Sequence, residues 1–516
     1  MAFDPNAAFK LSSTSTKPYH HRRIPCLPVC VVVGLVCILV FILVSIRSAP
    51  SQLRFGIVID GGSSGSRIHV YGWRIGEGIV PEIDFAASGE MKVNPGLSAY
   101  AQEPERAGES LAGLLEFGKG HVPRDLWGET EVRLMATAGL RMVESETRER
   151  ILESCRRVLR ASGFRFRDDW ATVIPGTDEG SYAWVAANYA LGTLGGDPQE
   201  TTGIIELGGA SAQVTFVSSE PLPPEYARPL NFGERRYNLY SHSFLHFGQN
   251  AAQDSLQELL ASEGLKSAEH VHQGIYDPCT PRSYSHGLES GKLSAGVPSL
   301  QAEGNDVAHV MGNYSACRSL SLMLLQKEKD KCSFDECLVG STFVPKLQGR
   351  FLATENFFYT SKFFGLGSLS SLSDLISSGK KFCEEDKLRL KRKYSTLSEE
   401  DFSRYCFSSA YIVAFLHDGL GIALDDDRIS FVNQVDNVPL DWALGAFIMQ
   451  GTSSPTAPYS WIPAINRDGM LVLLFLLIIA ALMVFTMVAV SKCRNPQLKT
   501  IYDLEKGRYI VTRIHR

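Results

Sequence analysis

Residues 57–71 read IVIDGGSSGSRIHVY. An apolar run ends in an acid, Asp60, a Gly/Ser turn follows from Gly61 to Arg67, and Ile68 to Tyr71 alternates like a second strand. Residues 203–216, GIIELGGASAQVTF, repeat the device. Laid over each other without a gap, Asp60 meets Glu206, Gly62 meets Gly208, Arg67 meets Gln213 and Ile68 meets Val214. An internal repeat of this kind predicts two related lobes facing each other.

The residue types in these loops point to an anion. Glycines let backbone N–H groups approach closely, and successive N–H groups form a nest for negative charge. Serine hydroxyls add donors. An acid at the end of a strand repels phosphate, but it can hold a divalent cation that bridges phosphate oxygens. One loop alone reads equally well as an ordinary Gly-rich hairpin. The pair favours a clamp on a polyphosphate. Gly61-Gly62-Ser63-Ser64-Gly65 also fits the G-x-S-x-G elbow of serine hydrolases. That elbow turns from strand into helix, whereas the residues after it here read as strand. No G-x-x-x-x-G-K-[ST] is present, which disfavours a P-loop ATPase.

Two further punctuations lie between the loops. Ala136-Thr137-Ala138-Gly139-Leu140-Arg141 precedes a helical pattern from Glu144 to Arg160; its small residues allow close approach, and Thr137 reads either as a cleft residue or as a helix N-cap. Val173 to Ser181 precedes a helix expected over Tyr182 to Leu191. A nucleotide hydrolase needs a carboxylate to orient and deprotonate water. Glu179, between a turn and the helix start, is the general-base candidate, with Asp178 as the adjacent alternative; an acid favouring the helix dipole is the structural reading of the same residue.

Composition sets the frame. The chain has 516 residues, 44% of them hydrophobic, and a net charge of −5, which gives no nucleic-acid footprint. Residues 27–46 and 470–490 carry no charge, and each is long enough to cross a bilayer as a helix. The first run is too long for an ordinary signal peptide and reads as an uncleaved anchor. Basic residues lie outside both runs: Lys10, Lys17, Arg22 and Arg23 before the first, and Lys492, Arg494, Lys499, Lys506, Arg508, Arg513 and Arg516 after the second. Basic flanks stay cytoplasmic. The expected organisation is a cytoplasmic N-terminus (1–26), a span (27–46), a lumenal or extracellular body, a second span (470–490) and a basic cytoplasmic tail (491–516). The body divides into lobe one, 54–175 with a return segment 438–465, and lobe two, 176–437.

Of 11 Cys, Cys26, Cys30, Cys37 and Cys493 lie in or beside the spans, which leaves seven for an oxidising compartment. Cys279 with Cys317, Cys332 with Cys337, and Cys383 with Cys406 are candidate pairs by spacing, and Cys155 is left over as a buried thiol; spacing does not prove connectivity. No CxxC pair is present, which disfavours structural zinc. Asn313-Tyr314-Ser315 is a glycosylation sequon, in keeping with a lumenal body.

IDGGSSGSRIHVY, ATAGLR, GTDEGSYAWVAANYALG, IIELGGASAQVTF and DWALGAF, in that order, resemble the five conserved regions of the apyrase family, the ecto-nucleoside triphosphate diphosphohydrolases. The first is most similar to plant apyrases and Golgi nucleoside diphosphatases, and the two-anchor layout to membrane-bound members. The resemblance implies an α/β, two-lobe, actin/Hsp70-like (ribonuclease H-like) ectodomain between two transmembrane helices. It implies hydrolysis of terminal phosphates of nucleoside tri- and diphosphates with Ca²⁺ or Mg²⁺, by in-line attack of water and without a phosphoenzyme. Carried over, Glu179 is the base, Ser211 and Gln213 position the water, and Thr137 is nearby. Gly62, Ser63, Ser64, Gly65, Ser66, Gly208, Gly209 and Ala210 hold phosphates. Asp60 and Glu206 hold the metal through waters, with Trp442 in the outer shell.

Two departures matter. The family has Asp where this chain has Glu206, whose extra methylene extends the carboxylate. Surface members hold the base between an aromatic ring and an Arg; Phe358 and Tyr359 can supply the ring or belong to the core, and His417-Asp418-Gly419 has no Arg. Alternatives are therefore a Golgi nucleoside diphosphatase with narrow GDP/UDP preference, a catalytically silent nucleotide receptor, and a phosphotransferase. A homo-oligomer is compatible with two spans, though neither carries a clear G-x-x-x-G.

Overall fold

The computed structural model describes residues 53–74, 80–267, 276–281, 309–310, 312–327, 329–334, 337–453 and 498–513. Both expected spans, the four cysteines in or beside them and residues 454–465 of the return segment lie outside the described residues. Among the described residues no helix is long and apolar enough to cross a membrane.

Two sheets carry the molecule. The first joins β1 (Arg54–Gly61), β2 (Ser66–Arg74), β3 (Glu82–Val93), β4 (Glu131–Ala136) and β5 (Ala171–Val173) in the order β3-β2-β1-β4-β5. The second is built from β6 (Gly203–Leu207), β7 (Ser211–Val217), β8 (Ala227–Phe232), β9 (Arg235–Leu245), β10 (Phe351–Glu355) and β11 (Ile429–Phe431), ordered β11-β10-β6-β7-β9-β8. Each sheet has an antiparallel hairpin, β1-β2 or β6-β7, with parallel strands added on one side of it and an antiparallel strand on the other. The internal repeat is therefore a repeat of topology, with β8 as an extra edge strand of the second sheet. The register places Asp60 opposite Arg67 and Glu206 opposite Gln213, the same residues that the sequence superposition aligns.

Alternation explains why β1 and β6 read as continuous apolar runs. Successive side chains point to opposite faces, and both faces of each sheet are covered. Ile57, Ile59, Ile68 and Val70 pack outward on Leu114 and Leu115 of α1 (Ala112–His121) and on Ile151, Leu152 and Leu159 of α2 (Ser145–Arg160). Val58, Tyr71 and Ile204 face a middle layer with Trp184 of α3 (Gly176–Ala190) and Leu444 and Phe447 of α9 (Trp442–Ser453). Ile205, Leu207, Val214 and Phe216 face α4 (Gln249–Ser267), α5 (Tyr314–Leu325), α6 (Asn356–Phe363), α7 (Leu372–Cys383) and α8 (Glu399–Val413).

In the middle layer α3 and α9 meet without a side chain between them. A Cβ on Gly445 would collide with the backbone of Tyr182. Phe447 packs on Tyr71 in a tilted ring contact with centroids 4.8 Å apart.

Disulfides join Cys279 to Cys317, Cys332 to Cys337, and Cys383 to Cys406. All three lie behind or beyond the second sheet. Cys155 is a free, buried thiol on α2, and burial pushes its pKa up to about 12, so it is inert as a nucleophile. Asn313 is exposed, and its side chain caps α5 by accepting the Ala316 N–H at 3.0 Å.

The chain divides into two units, Met1–Thr452 and Ser453–Arg516. In the second, β12 (Leu498–Asp503) and β13 (Arg508–Arg513) form an antiparallel hairpin with Tyr502 and Tyr509 in edge contact, 4.7 Å apart.

Candidate active site

The two Gly/Ser loops face each other. A Cβ on Gly209 would lie 2.8 Å from Ser63 Oγ, and one on Gly139, in the helical turn Ala138–Arg141, would lie 2.8 Å from Ser63 Cα. Thr137 ties this turn to the first loop: its N–H donates to Gly61 O at 3.2 Å, and its carbonyl accepts from Leu140 and Arg141. It holds the N-cap position with no side-chain cap bond, which leaves its hydroxyl for other work.

The expected phosphate residues separate into two groups. No hydrogen bond within the described residues uses the N–H of Gly62, Ser63, Gly209 or Ala210. The Gly208 N–H is spent within its own loop, on Ser211 O at 3.0 Å. Ser64 is exposed beside Ser63. Gly65 and Ser66 turn towards β3 instead of the opening. A Cβ on Gly65 would lie 2.7 Å from Val93 O, and Ser66 is fully buried opposite Val93.

The strand-end acids sit between the loops. Asp60 Oδ1 and Glu206 Oε2 are buried, and neither has a hydrogen-bond partner among the described residues. Burial holds both carboxyls well above the usual carboxylate range; Glu179 adds to this in each case, and Arg67 opposes it at Asp60. Orphaned buried carboxylate oxygens are costly unless a cation or proton satisfies them. This donor set suits a hard divalent cation. Among the described residues no group of three or more Asp, Glu, His or Cys side chains gathers as a direct metal site.

Glu179 lies in the first turn of α3. The helix starts at Gly176 and not at Tyr182, because Pro175 precedes it and two acids, Asp178 and Glu179, favour its N-terminus. Glu179 is 8% exposed. Burial raises its pKa, and the charge and hydrogen bond of Arg141 work against that. Arg141 Nη2 donates to Glu179 Oε2, and Arg141 Nη1 donates to Ser243 Oγ at 3.3 Å. Gln213 Nε2 donates to Ser211 Oγ at 2.7 Å and to Ser243 Oγ at 3.1 Å. Ser211, Gln213 and Glu179 are thus joined through Ser243 and Arg141, two residues absent from the sequence-based candidates. Asp178, the adjacent acid, pairs instead with Arg228 on β8.

Trp442 is buried at the start of α9. Its neighbour Asp441 accepts the Leu444 N–H at 2.9 Å, contacts Tyr71 Oη at 3.4 Å and faces His69 Nδ1 at 3.8 Å. Desolvation lowers the His69 pKa, against the pull of Asp441 and Glu90.

Tyr359 and Phe358 are not core residues. Phe357 takes the buried position of that trio, Phe358 is half-buried, and Tyr359 is 46% exposed. Both line a cavity of about 560 Å³ with Lys362, Phe431, Asn433 and Gln434. Arg318 and Asp418, a bidentate pair at 2.9 Å, show that the acid of His417-Asp418-Gly419 is engaged elsewhere.

Comparison with known proteins agrees with this geometry. The model described as the GDA1/CD39 (nucleoside phosphatase) family matches residues 47–459. Probable apyrase 6 of Arabidopsis thaliana is 55% identical over 494 residues, which cover 94% of this chain and 89% of that protein. Ectonucleoside triphosphate diphosphohydrolase 1 of Bos taurus is 28% identical over 496 residues, covering 89% and 93%. The fold is similar to the crystal structure of nucleoside triphosphate hydrolases from Neospora caninum, with a TM-score of 0.57, 18% identity, and coverage of 80% of this chain and 95% of that one. With four-fifths of its length inside one family model and more than half its residues identical to a plant apyrase, the chain belongs to the GDA1/CD39 nucleoside phosphatase family.

Proposed function

We propose that the cleft between the two Gly/Ser loops is where this chain hydrolyses nucleoside tri- and diphosphates, by in-line attack of a water that Glu179 deprotonates. The observation that carries the reading is the linkage of Glu179 to Gln213 and Ser211 through Arg141 and Ser243, beside two facing loops with unspent backbone donors. Glu179 takes the proton as the water attacks, while the Ser211 and Gln213 side chains orient the water. The amides of Gly62, Ser63, Gly209 and Ala210 stabilise charge on the transferring phosphoryl group. Water is the acceptor and no phosphoenzyme forms.

Asp60 and Glu206 would hold Ca²⁺ or Mg²⁺ through waters, with Trp442 in the outer shell. Such an ion neutralises phosphate charge. The longer Glu206 carries its oxygen further from the strand than Asp would. Tyr359 would stack on the base. The two sheets form the cores of two actin-like lobes, split as the sequence reading has it. Residues 27–46 and 470–490 anchor the body in a membrane of the Golgi or the cell surface, with Asn313 glycosylated; names such as ectonucleoside triphosphate diphosphohydrolase among the relatives favour an outward-facing body.

The test is phosphate release from ATP, ADP, GDP and UDP by the purified protein with Ca²⁺ or Mg²⁺, beside Glu179→Gln. Equal release by both proteins sinks the base assignment. Release from no nucleotide sinks hydrolysis and favours a silent receptor. A narrow GDP/UDP preference favours a Golgi diphosphatase.

A further inference from the structure

Glu355 ends β10 with φ +58° and ψ −121°, a conformation that residues with a Cβ rarely adopt. Its neighbours hold it there. The Glu355 N–H donates to Asn433 Oδ1 at 2.7 Å. The next residue, Asn356, donates through Nδ2 to Leu207 O at 2.7 Å and to Gly208 O at 3.4 Å. Strand register sets Thr354 beside Glu206 and Glu355 beside Leu207, so Glu355 stands one step closer to the second Gly-rich loop than the metal-site acid. Strained backbone of this kind persists where the surroundings over-determine it, and it concentrates at ligand sites.

The half-buried carboxylate stands among three sets of groups. Asp60 and Glu206 on the phosphate side both feel its charge. Arg67, on the cleft face of the first sheet, is the cation that most stabilises it, with Lys92 further along the same row. On the other side is Tyr359, whose phenol also feels Glu355 and which lines the 560 Å³ cavity together with Asn433. Asn433 therefore touches both the Glu355 backbone and the cavity. Glu355 lies between the place for phosphate and the place for an aromatic base.

A carboxylate repels phosphate, and it adds nothing to stacking. What it does well is accept hydrogen bonds from hydroxyls, two at a time. In a nucleotide the hydroxyls between phosphate and base belong to the ribose. We propose that Glu355 binds the ribose 2′- and 3′-hydroxyls and makes this site selective for ribonucleotides. The proposal rests on the reading that phosphates occupy the two loops and the base occupies the Tyr359 cavity. A site built to accept from a substrate hydroxyl discriminates strongly against the analogue that lacks it.

The experiment compares ADP with 2′,3′-dideoxy-ADP in the full-length protein, in Glu355→Gln and in Glu355→Gly. The wild type is expected to favour ADP by about 10- to 100-fold in kcat/KM. Glu355→Gly, which relaxes the backbone as it removes the acceptor, is expected to lose that preference through a higher KM for ADP, at an unchanged or higher Tm. Glu355→Gln keeps an acceptor oxygen without the charge and should retain most of the preference. Equal turnover of the two nucleotides by the wild type overturns the proposal. So does a uniform loss on both nucleotides in Glu355→Gly, or a Glu355→Gln variant as impaired as Glu355→Gly; either result makes Glu355 a counter-charge to Arg67 instead. If the wild type releases phosphate from neither nucleotide, the hydrolase reading of the cleft fails along with it.

Discussion

Arg141, closing the turn after β4, donates to the carboxylate of Glu179 in the first turn of α3, a contact between residues 38 apart in sequence. This bond bears on the ionisation of the proposed base: burial raises the Glu179 pKa, and the charge and hydrogen bond of Arg141 offset part of that rise, favouring the ionised form.

Arg141→Met should therefore raise the Glu179 pKa further. The base works ionised, so the acid limb of the kcat/KM profile should move to higher pH once the adjacent opposite charge is gone. A pH–rate profile with an unmoved acid limb would show that Arg141 does not govern Glu179.

Ser243 accepts from Arg141 and from Gln213, and so couples the proposed base to the proposed water-positioning pair. In Ser243→Ala both donors lose an acceptor. The expected cost is about fivefold in kcat, in line with a hydrogen bond of about 1 kcal/mol, with KM nearly unchanged. Steady-state phosphate release measures the split; a change confined to KM would place Ser243 in binding instead.

Asp60 and Glu206 give a dependence of stability on pH. Their folded-state pKa values are raised, so the folded state holds these protons more tightly than the unfolded chain does. The stabilisation is complete below the ordinary carboxylate pKa of about 4 and is lost as pH rises from there through the raised values. Chelator-treated protein should thus lose Tm on going from about pH 4 towards neutrality. Adding Ca²⁺ or Mg²⁺ should raise Tm more at pH 7 than at pH 5, because only ionised acids bind it. A metal-induced shift independent of pH would exclude these two residues as the titrating ligands.

Gly180 brings α3 close to the second sheet. A Cβ there would lie 2.5 Å from Thr215 Oγ1 and 3.1 Å from Ser241 Oγ, two hydroxyls already bonded to each other at 2.9 Å. Gly180→Ala should cost about 1–3 kcal/mol by overpacking and lower activity by displacing the adjacent Glu179. Chemical denaturation and phosphate release check the two halves separately.

The duplicated sheet was legible in sequence because its signature is local: an apolar run, an acid, glycines and a second run, twice. Both faces of the central strands are covered, so they carry an uninterrupted apolar signal. The start of α3 was less legible, since Gly176 to Ser181 has the composition of a loop and the stop-and-start signal is a single residue, Pro175. The trio Phe357-Phe358-Tyr359 cannot be sorted by composition; the 100° turn per helical residue carries Phe357 inward and Tyr359 outward. Arg141 stands inside a quoted motif, yet its partner comes from another segment. Ser243 lies in a strand of ordinary composition, and the positive φ of Glu355 leaves no trace in its residue type.

Gly445 meets the backbone of Tyr182 with no side chain between. The helix that carries Glu179 and the helix that begins at Trp442 are therefore gauged against each other by a hydrogen atom. A side chain at that crossing would have rotamers, and each rotamer would set a different gap. Bare backbone has one. The spacing of these two helices is thus set by main-chain atoms alone, and a single added methyl group is enough to change it.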